Sequence, residues 1–167
     1  MNDKKYSYTT DVPISLEQGY ELRIKKLTTT AQVPFKAHDY DAGFDLYADE
    51  DAVIKAGQTV LVSTGIAMGI PKGFVGLIWD RSSMGVKGIH RFAGVIDSGY
   101  RGEVKVCLSN LSYGLQDWPH YHTHYDVKRG DRIAQLVVQQ IPLMHVVEVE
   151  ELEDSSPACG GFGSSGK

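Results

Sequence analysis

Five segments of the chain combine glycine with side chains able to meet a charged ligand. In the first, residues 41–51, Asp41 and Asp45 either cap the entry to a strand or, for Asp45, bind a metal or its waters, since hard cations take carboxylate oxygen. In the second, residues 80–89, Arg81 precedes Ser82, Ser83 and Gly85. A guanidinium, two hydroxyls and open backbone suit phosphate oxygens, although the same residues would also make a solvated turn. In the third, residues 93–104, Asp97 follows Val95-Ile96 and precedes Ser98-Gly99, a two-residue hairpin signal. A carboxylate there either shapes the turn or takes a proton from water as a general base. Tyr100, just beyond, packs into a core or against a sugar ring. In the fourth, residues 130–138, Gln135 interrupts a run that otherwise reads as a buried strand, so its amide bonds neighbouring backbone or faces a ligand. The fifth, residues 158–167, has the glycine content of a phosphate-cradling loop without its spacing or following helix. It reads as a polar tail, or as a lid that lays Phe162 over a planar base.

These residues need a scaffold, and the pattern around them is that of short strands. Residues 21–27, 52–54, 58–68, 74–80, 102–110, 131–141 and 144–152 carry β-branched or alternating side chains. In the 102–110 segment, Val104, Val106 and Leu108 should face one way, and Glu103, Lys105 and Cys107 the other. Only residues 81–87 suggest a turn or two of helix. The expected class is all-β: a sandwich, barrel or jelly roll. Residues 1–20 read as an N-terminal extension and 21–150 as the β domain. Residues 112–125 read as an irregular, aromatic and histidine-rich insertion, and 151–167 as a C-terminal arm.

A chain of 167 residues suits one domain and can bury roughly 70% of its unfolded surface, so it needs no staple to fold. The formal net charge of −4 argues against duplex nucleic acid as partner, because phosphate backbones demand a basic face. A small anion is still acceptable if donors cluster locally. The two cysteines, Cys107 and Cys159, lack zinc-finger spacing and read as free thiols of a reducing compartment. No secretory or membrane-spanning pattern is evident, which leaves the cytoplasm as the default compartment and no membrane as partner. His120, His122 and His124 alternate and would share one face of a strand; a solvated loop is the plainer reading, a metal site the sharper one.

Taken in order, residues 41–48, 81–89, 94–104, 130–138 and 160–166 resemble the five motifs of the trimeric deoxyuridine triphosphatases (dUTPases). The resemblance runs from about Leu22 to the C-terminus, omitting mainly the insertion. It implies a jelly-roll subunit with a flexible C-terminal arm and a homotrimer, with each active site built between subunits and closed by an arm. It implies hydrolysis of dUTP to dUMP and pyrophosphate with Mg²⁺, which removes dUTP and supplies dUMP for thymidylate synthesis. Asp97 matches the general base, Gln135 the glutamine near the α-phosphate and attacking water, and Asp45 the aspartate that reaches the metal through water. Arg81, Ser82 and Ser83 match the phosphate contacts. Tyr100 matches the ring beneath deoxyribose, and Phe162, with Gly163, Ser164 and Ser165, the segment that covers the nucleotide. Backbone of a tight hairpin around Phe92 to Gly99, including Gly94, Val95 and Ile96, would read the uracil edge and exclude a methyl.

The chain departs from that pattern at Pro157, where the family places an arginine five residues before the final phenylalanine. Lys167, Arg129 or Arg132 would have to substitute, or the arm closes less firmly. The related dCTP deaminases share the arginine–serine–serine segment, but their glutamate ten residues after the hairpin aspartate falls here on Cys107, and their second arginine on Val86. Without an acid/base group at that point deamination lacks its proton shuttle. A regulatory binding protein on the same scaffold is the other rival. Residues 1–20 and the insertion, with Trp118, would offer it a surface for a protein partner.

Overall fold

The computed structural model describes residues 19–112 and 123–153. Among them are ten strands and one short helix: β1 (Arg23–Lys26), β2 (Phe44–Tyr47), β3 (Ala52–Lys55), β4 (Thr59–Gly69), β5 (Phe74–Trp79), α1 (Ser82–Gly85), β6 (Ile89–Phe92), β7 (Val95–Ile96), β8 (Glu103–Asn110), β9 (His124–Val127) and β10 (Arg132–Gln140). They form two four-stranded sheets, ordered β1-β4-β8-β6 and β2-β10-β5-β7, and a β3-β9 ribbon. Each of these pairings is antiparallel. The all-β jelly-roll expectation holds.

Strand alternation builds the core. On β8, Val104, Val106 and Leu108 are buried, as their spacing requires, and Val62 lies opposite Val106 on β4. They pack with Leu46, Ile78, Ala134 and Leu136 of the second sheet and with Ile54 and Val127 of the ribbon in one apolar cluster. Burial at about 25 cal/mol per Å² of apolar surface makes this cluster the main stabilising contribution. Glu103 and Cys107 lie on the less buried side of β8.

Five differences from the sequence expectations stand out. Residues 144–152 form no strand: Met144, Val146, Val147, Val149 and Leu152 are exposed. Alternation gives them strand propensity, but a strand also needs a partner edge, and they are paired with none among the described residues. The insertion is shorter than residues 112–125, because His124 and Tyr125 open β9 opposite Lys55 and Ile54. Ser98-Gly99 is no hairpin tip. The Tyr100 amide donates to the Asp97 carbonyl at 3.0 Å, closing a turn that carries the chain from β7 in one sheet to β8 in the other. Nor is the stretch from Phe92 to Gly99 a paired hairpin: β6 pairs with β8, and β7 with β5. Finally, β2, β6 and β7 are strands that the turn-like residues around them concealed.

Candidate active site

Asp45, Gln135 and Trp79 form a row across three adjacent strands, since Gln135 stands opposite Asp45 on β2 and opposite Trp79 on β5. Facing residues on neighbouring strands share one side of the sheet. At the end of this row lies a cleft of about 360 Å³ lined by Asp41, Gly43, Asp45, Arg81, Ser82, Arg132 and Gln135, among others. Arg81 enters it from the β5–α1 junction. Its Nε donates to Asp45 Oδ1 at 2.9 Å, and one terminal nitrogen reaches the Arg132 carbonyl at 3.2 Å and Ser83 Oγ at 3.4 Å. The second Asp45 oxygen accepts from Arg132 at 3.2 Å.

Arg132 was the residue that sequence reasoning undervalued. Arg132 and Gln135 are three residues apart, so a regular strand would point them to opposite faces. The β10–β2 register shifts between Arg132 and Ala134, and Ile133 and Ala134 are both buried, which marks a β-bulge. The extra residue turns Arg132 onto the side of Gln135. Two consecutive buried residues flanked by polar ones are the signal that could have revealed it.

Gln135 takes both roles left open for it. Its Nε2 donates to the Asp80 carbonyl at 2.7 Å, which leaves Oε1 as the acceptor on the cleft side, close against Gly43. A Cβ on Gly43 would come within 2.7 Å of that oxygen, so glycine is required for the amide to lie where it does. Ser82 and Ser83 begin α1, whose N-terminus has no side-chain cap, and the first N–H groups of a helix have no partner within it.

The remaining predicted residues gather elsewhere. Val95, Ile96, Asp97 and Tyr100 line a second cleft of about 420 Å³ with Leu61, Glu103, Val104 and Lys105. Gly94 sets the path into it. Its φ is 110°, its carbonyl accepts from the Ile78 amide at 2.8 Å, and a Cβ there would approach the Ile78 carbonyl to 2.9 Å. Tyr100 is fixed by its hydroxyl, which donates to the Glu103 carbonyl at 2.9 Å. Burial pushes the Glu103 carboxyl up, but hydrogen bonds from Ser63 and the Gly65 amide, with Lys105 nearby, hold it below the usual range. Ile96 faces Gly76, three residues along β5 from Trp79, and β7 lies two strands from β10. Strand geometry therefore puts Asp97 roughly 15 Å from Gln135 within one chain.

The structure thus brings together Asp45, Arg81, Ser82 and Gln135, and separately Asp97, Tyr100, Val95 and Ile96. Phe162, Gly163, Ser164, Ser165, Pro157 and Lys167 lie outside the described residues, as do His120, His122 and most of residues 1–20. Among the described residues no group of three or more His, Cys, Asp or Glu could hold a metal ion by itself, and no helix is long and apolar enough to cross a membrane. Cys107 is a free, half-buried thiol.

The dUTPase family model matches residues 29–166. The deoxyuridine 5'-triphosphate nucleotidohydrolase of Rhodococcus erythropolis is 46% identical over 148 residues, covering 87% of this chain and 85% of that protein. The enzyme of the same name from Paramecium bursaria Chlorella virus 1 is 43% identical, covering 87% of this chain and 97% of that protein. Among solved structures, the dUTPase of Staphylococcus bacteriophage 80alpha with dUpNHpp superposes with a TM-score of 0.80 at 29% identity, over 89% of this chain and 100% of that one. The dUTPase of Staphylococcus aureus phage phi11, described with a structural Mg(II) ion, does so with a TM-score of 0.71 at 29% identity, over 81% of this chain and 100% of that one.

Proposed function

Because the chain belongs to the dUTPase family, we propose that its two clefts are complementary halves of one active site, contributed by different copies in a homotrimer. The chain is a dUTP diphosphatase, hydrolysing dUTP to dUMP and pyrophosphate. The observation that carries the two-copy reading is the separation of Asp97 from Gln135. Residues roughly 15 Å apart cannot hold one water against one phosphorus, whereas the same residues from two copies can converge. The face beside Gln135 supports this, since it also bears exposed Trp79 and Val95 and half-buried Leu77 and Val137, an apolar surface suited to a second copy.

In this arrangement Arg81, Arg132 and the N–H and hydroxyl groups of Ser82 and Ser83 bind phosphate oxygens. Gln135 Oε1 accepts a hydrogen bond from the attacking water. Asp97 of the neighbouring copy takes that water's proton as its oxygen attacks the α-phosphorus. The bond from the α-phosphorus to the bridging oxygen breaks, and pyrophosphate departs with that oxygen. Tyr100 lies under the deoxyribose, and backbone of residues 92–99 reads the uracil edge without needing a paired hairpin. Phe162 and its glycine-rich surroundings cover the base.

The side chains of the phosphate cleft fit a divalent cation that arrives with the nucleotide. Arg81 and Arg132 are balanced there by Asp41 and Asp45, so the cleft has no surplus positive charge to offset a triphosphate. Mg²⁺ takes few protein carboxylates and keeps its waters and phosphate ligands, so a single carboxylate, Asp45, reaching it through water is sufficient. When bound, Mg²⁺ offsets charge on the phosphate chain.

Pyrophosphate release from dUTP, dCTP, dTTP and UTP, measured with wild type and Asp97→Asn, tests the proposal. Release confined to dUTP, lost in the variant and on chelation, is the expected pattern. Ammonia release from dCTP would point to a deaminase instead, against which Cys107 and Val86 argue.

A further inference from the structure

We propose that Asp80, a residue outside both clefts, is the positioning residue that ties the phosphate cleft to the base-reading segment. This rests on the dUTPase reading above. Asp80 follows the last residue of β5 and precedes Arg81. It is bonded in three directions. Its Oδ2 meets His90 Nδ1 at 2.5 Å, its Oδ1 accepts the Arg91 amide at 2.8 Å, and its carbonyl accepts Gln135 Nε2 at 2.7 Å. The first two partners lie on β6, in the opposite sheet from β5. The Asp80 side chain therefore pins the two sheets together at one end of the sandwich, while its backbone orients the cleft glutamine.

The connection continues through Arg91. Its guanidinium lies 4.8 Å from the centre of the Trp79 ring and donates to the Ala93 carbonyl at 2.8 Å. Ala93 has φ of 60°, an unfavourable value for a residue with a Cβ, and Gly94 follows at 110°. Such a left-handed pair persists only where surrounding bonds over-determine it. Here those bonds are Arg91 to Ala93 and the Ile78 amide to Gly94, and the first depends on where Asp80 holds the Arg91 backbone. This pair of residues aims Val95, Ile96 and Asp97. One residue thus serves both halves: the Asp80 carbonyl holds the amide whose oxygen orients water, its carboxylate holds the backbone that leads to the base-reading segment, and it touches neither substrate nor metal.

The test compares Asp80→Ala, Asp80→Asn and wild type. Asparagine keeps an acceptor for the Arg91 amide, and its NH2 donates to Nδ1 of His90 once the ring takes the tautomer protonated at Nε2, so it preserves the geometry without the charge. Asp80→Ala is expected to lower kcat about tenfold or more, because sub-ångström misplacement at a reacting centre is enough for such a loss. Its KM for dUTP should move less than about threefold, and its preference for dUTP over dCTP should narrow. Asp80→Asn should recover most of both losses. A role in folding alone would lower Tm but leave kcat per folded trimer and the dUTP:dCTP ratio at wild-type values, and that result overturns the proposal. If Asp80→Ala does not fold, His90→Phe, which removes one partner of Asp80 and keeps the ring beside Phe92, carries the same test. It should lower kcat and narrow the ratio in the same direction, and unchanged values overturn the proposal. Wild-type hydrolysis of dUTP is read first, so failure of the activity is distinguished from failure of this role.

Discussion

Asp45 and Arg81 meet at 2.9 Å, and the other oxygen of the same carboxylate holds Arg132 at 3.2 Å. This single side chain joins β2, the start of α1 and the bulge of β10, and it keeps two guanidiniums aimed into one cleft. Removing it should release both. Asp45→Asn is expected to raise KM for dUTP about tenfold, since charge-assisted bonds contribute about 1.5–3 kcal/mol each and part of that orientation is lost. It should also raise the Mg²⁺ concentration needed for half-maximal rate. Steady-state kinetics across a Mg²⁺ titration measure both, and an unchanged KM would remove Asp45 from the phosphate-binding role.

Gly43 tests the place of Gln135. A methyl group there would lie 2.7 Å from Oε1 and 3.1 Å from Cβ of Gln135, so the amide must shift. Gly43→Ala should lower kcat about tenfold with little change in Tm, because the glycine does not occupy left-handed backbone. Full activity in this variant would show that the amide orientation is unimportant.

Gly102 does the same for Tyr100. An added Cβ would come within 2.5 Å of the tyrosine hydroxyl. Gly102→Ala should displace the ring from the sugar position and reduce the preference for dUTP over UTP by about tenfold. Competition between the two nucleotides measures it; an unaltered ratio would separate Tyr100 from sugar selection.

The bulge of β4 carries a stability prediction. Gly65 has φ of 64° and packs against the Asp49 carboxylate and Ala31, so Gly65→Ala should destabilise the fold by about 2–4 kcal/mol without changing kcat of the folded enzyme. Asp49 itself accepts a hydrogen bond from Thr28 at 2.5 Å, which with Thr30 and the charges of Arg129 and Lys26 holds its carboxyl below the ordinary value of 3.8. A lowered carboxylate value stabilises the fold at any pH above the unfolded value, and that contribution is lost as pH falls from 3.8 through the lower folded value. Thr28→Ala should lower stability near neutral pH by about 1 kcal/mol and flatten the acid side of the stability curve. Denaturant unfolding between pH 2.5 and 7, a range taken to be on the order of that carboxylate transition, reads both.

Much of this was legible because strand alternation and ordered motifs are local signals. Val104, Val106 and Leu108 are buried where the period of two puts them, and Arg81 to Gly85 turn where a short helix was expected. What escaped was non-local. Gln135 sits beside Arg81 only through the β10–β5 register, and Arg132 joins them only through a bulge that no period announces. The Ser98-Gly99 dipeptide has hairpin composition, yet its flanking strands belong to different sheets, which local sequence cannot encode. Residues 144–152 alternate like a strand but have no partner edge within the described part of the chain. The hub at Asp80 was invisible for the same reason: its partners lie ten, eleven and fifty-five residues away.

The division of one active site between copies is tested most directly by mixing two inactive variants, Asp97→Asn and Arg81→Ala, unfolding them together and refolding them in equal amounts. In randomly mixed trimers, about a quarter of the sites would pair an intact Asp97 from one copy with an intact Arg81 from its neighbour, and dUTP hydrolysis should return to about a quarter of the wild-type rate. If both residues serve the same site from the same chain, every site carries one defect, and the mixture would stay as inactive as its components.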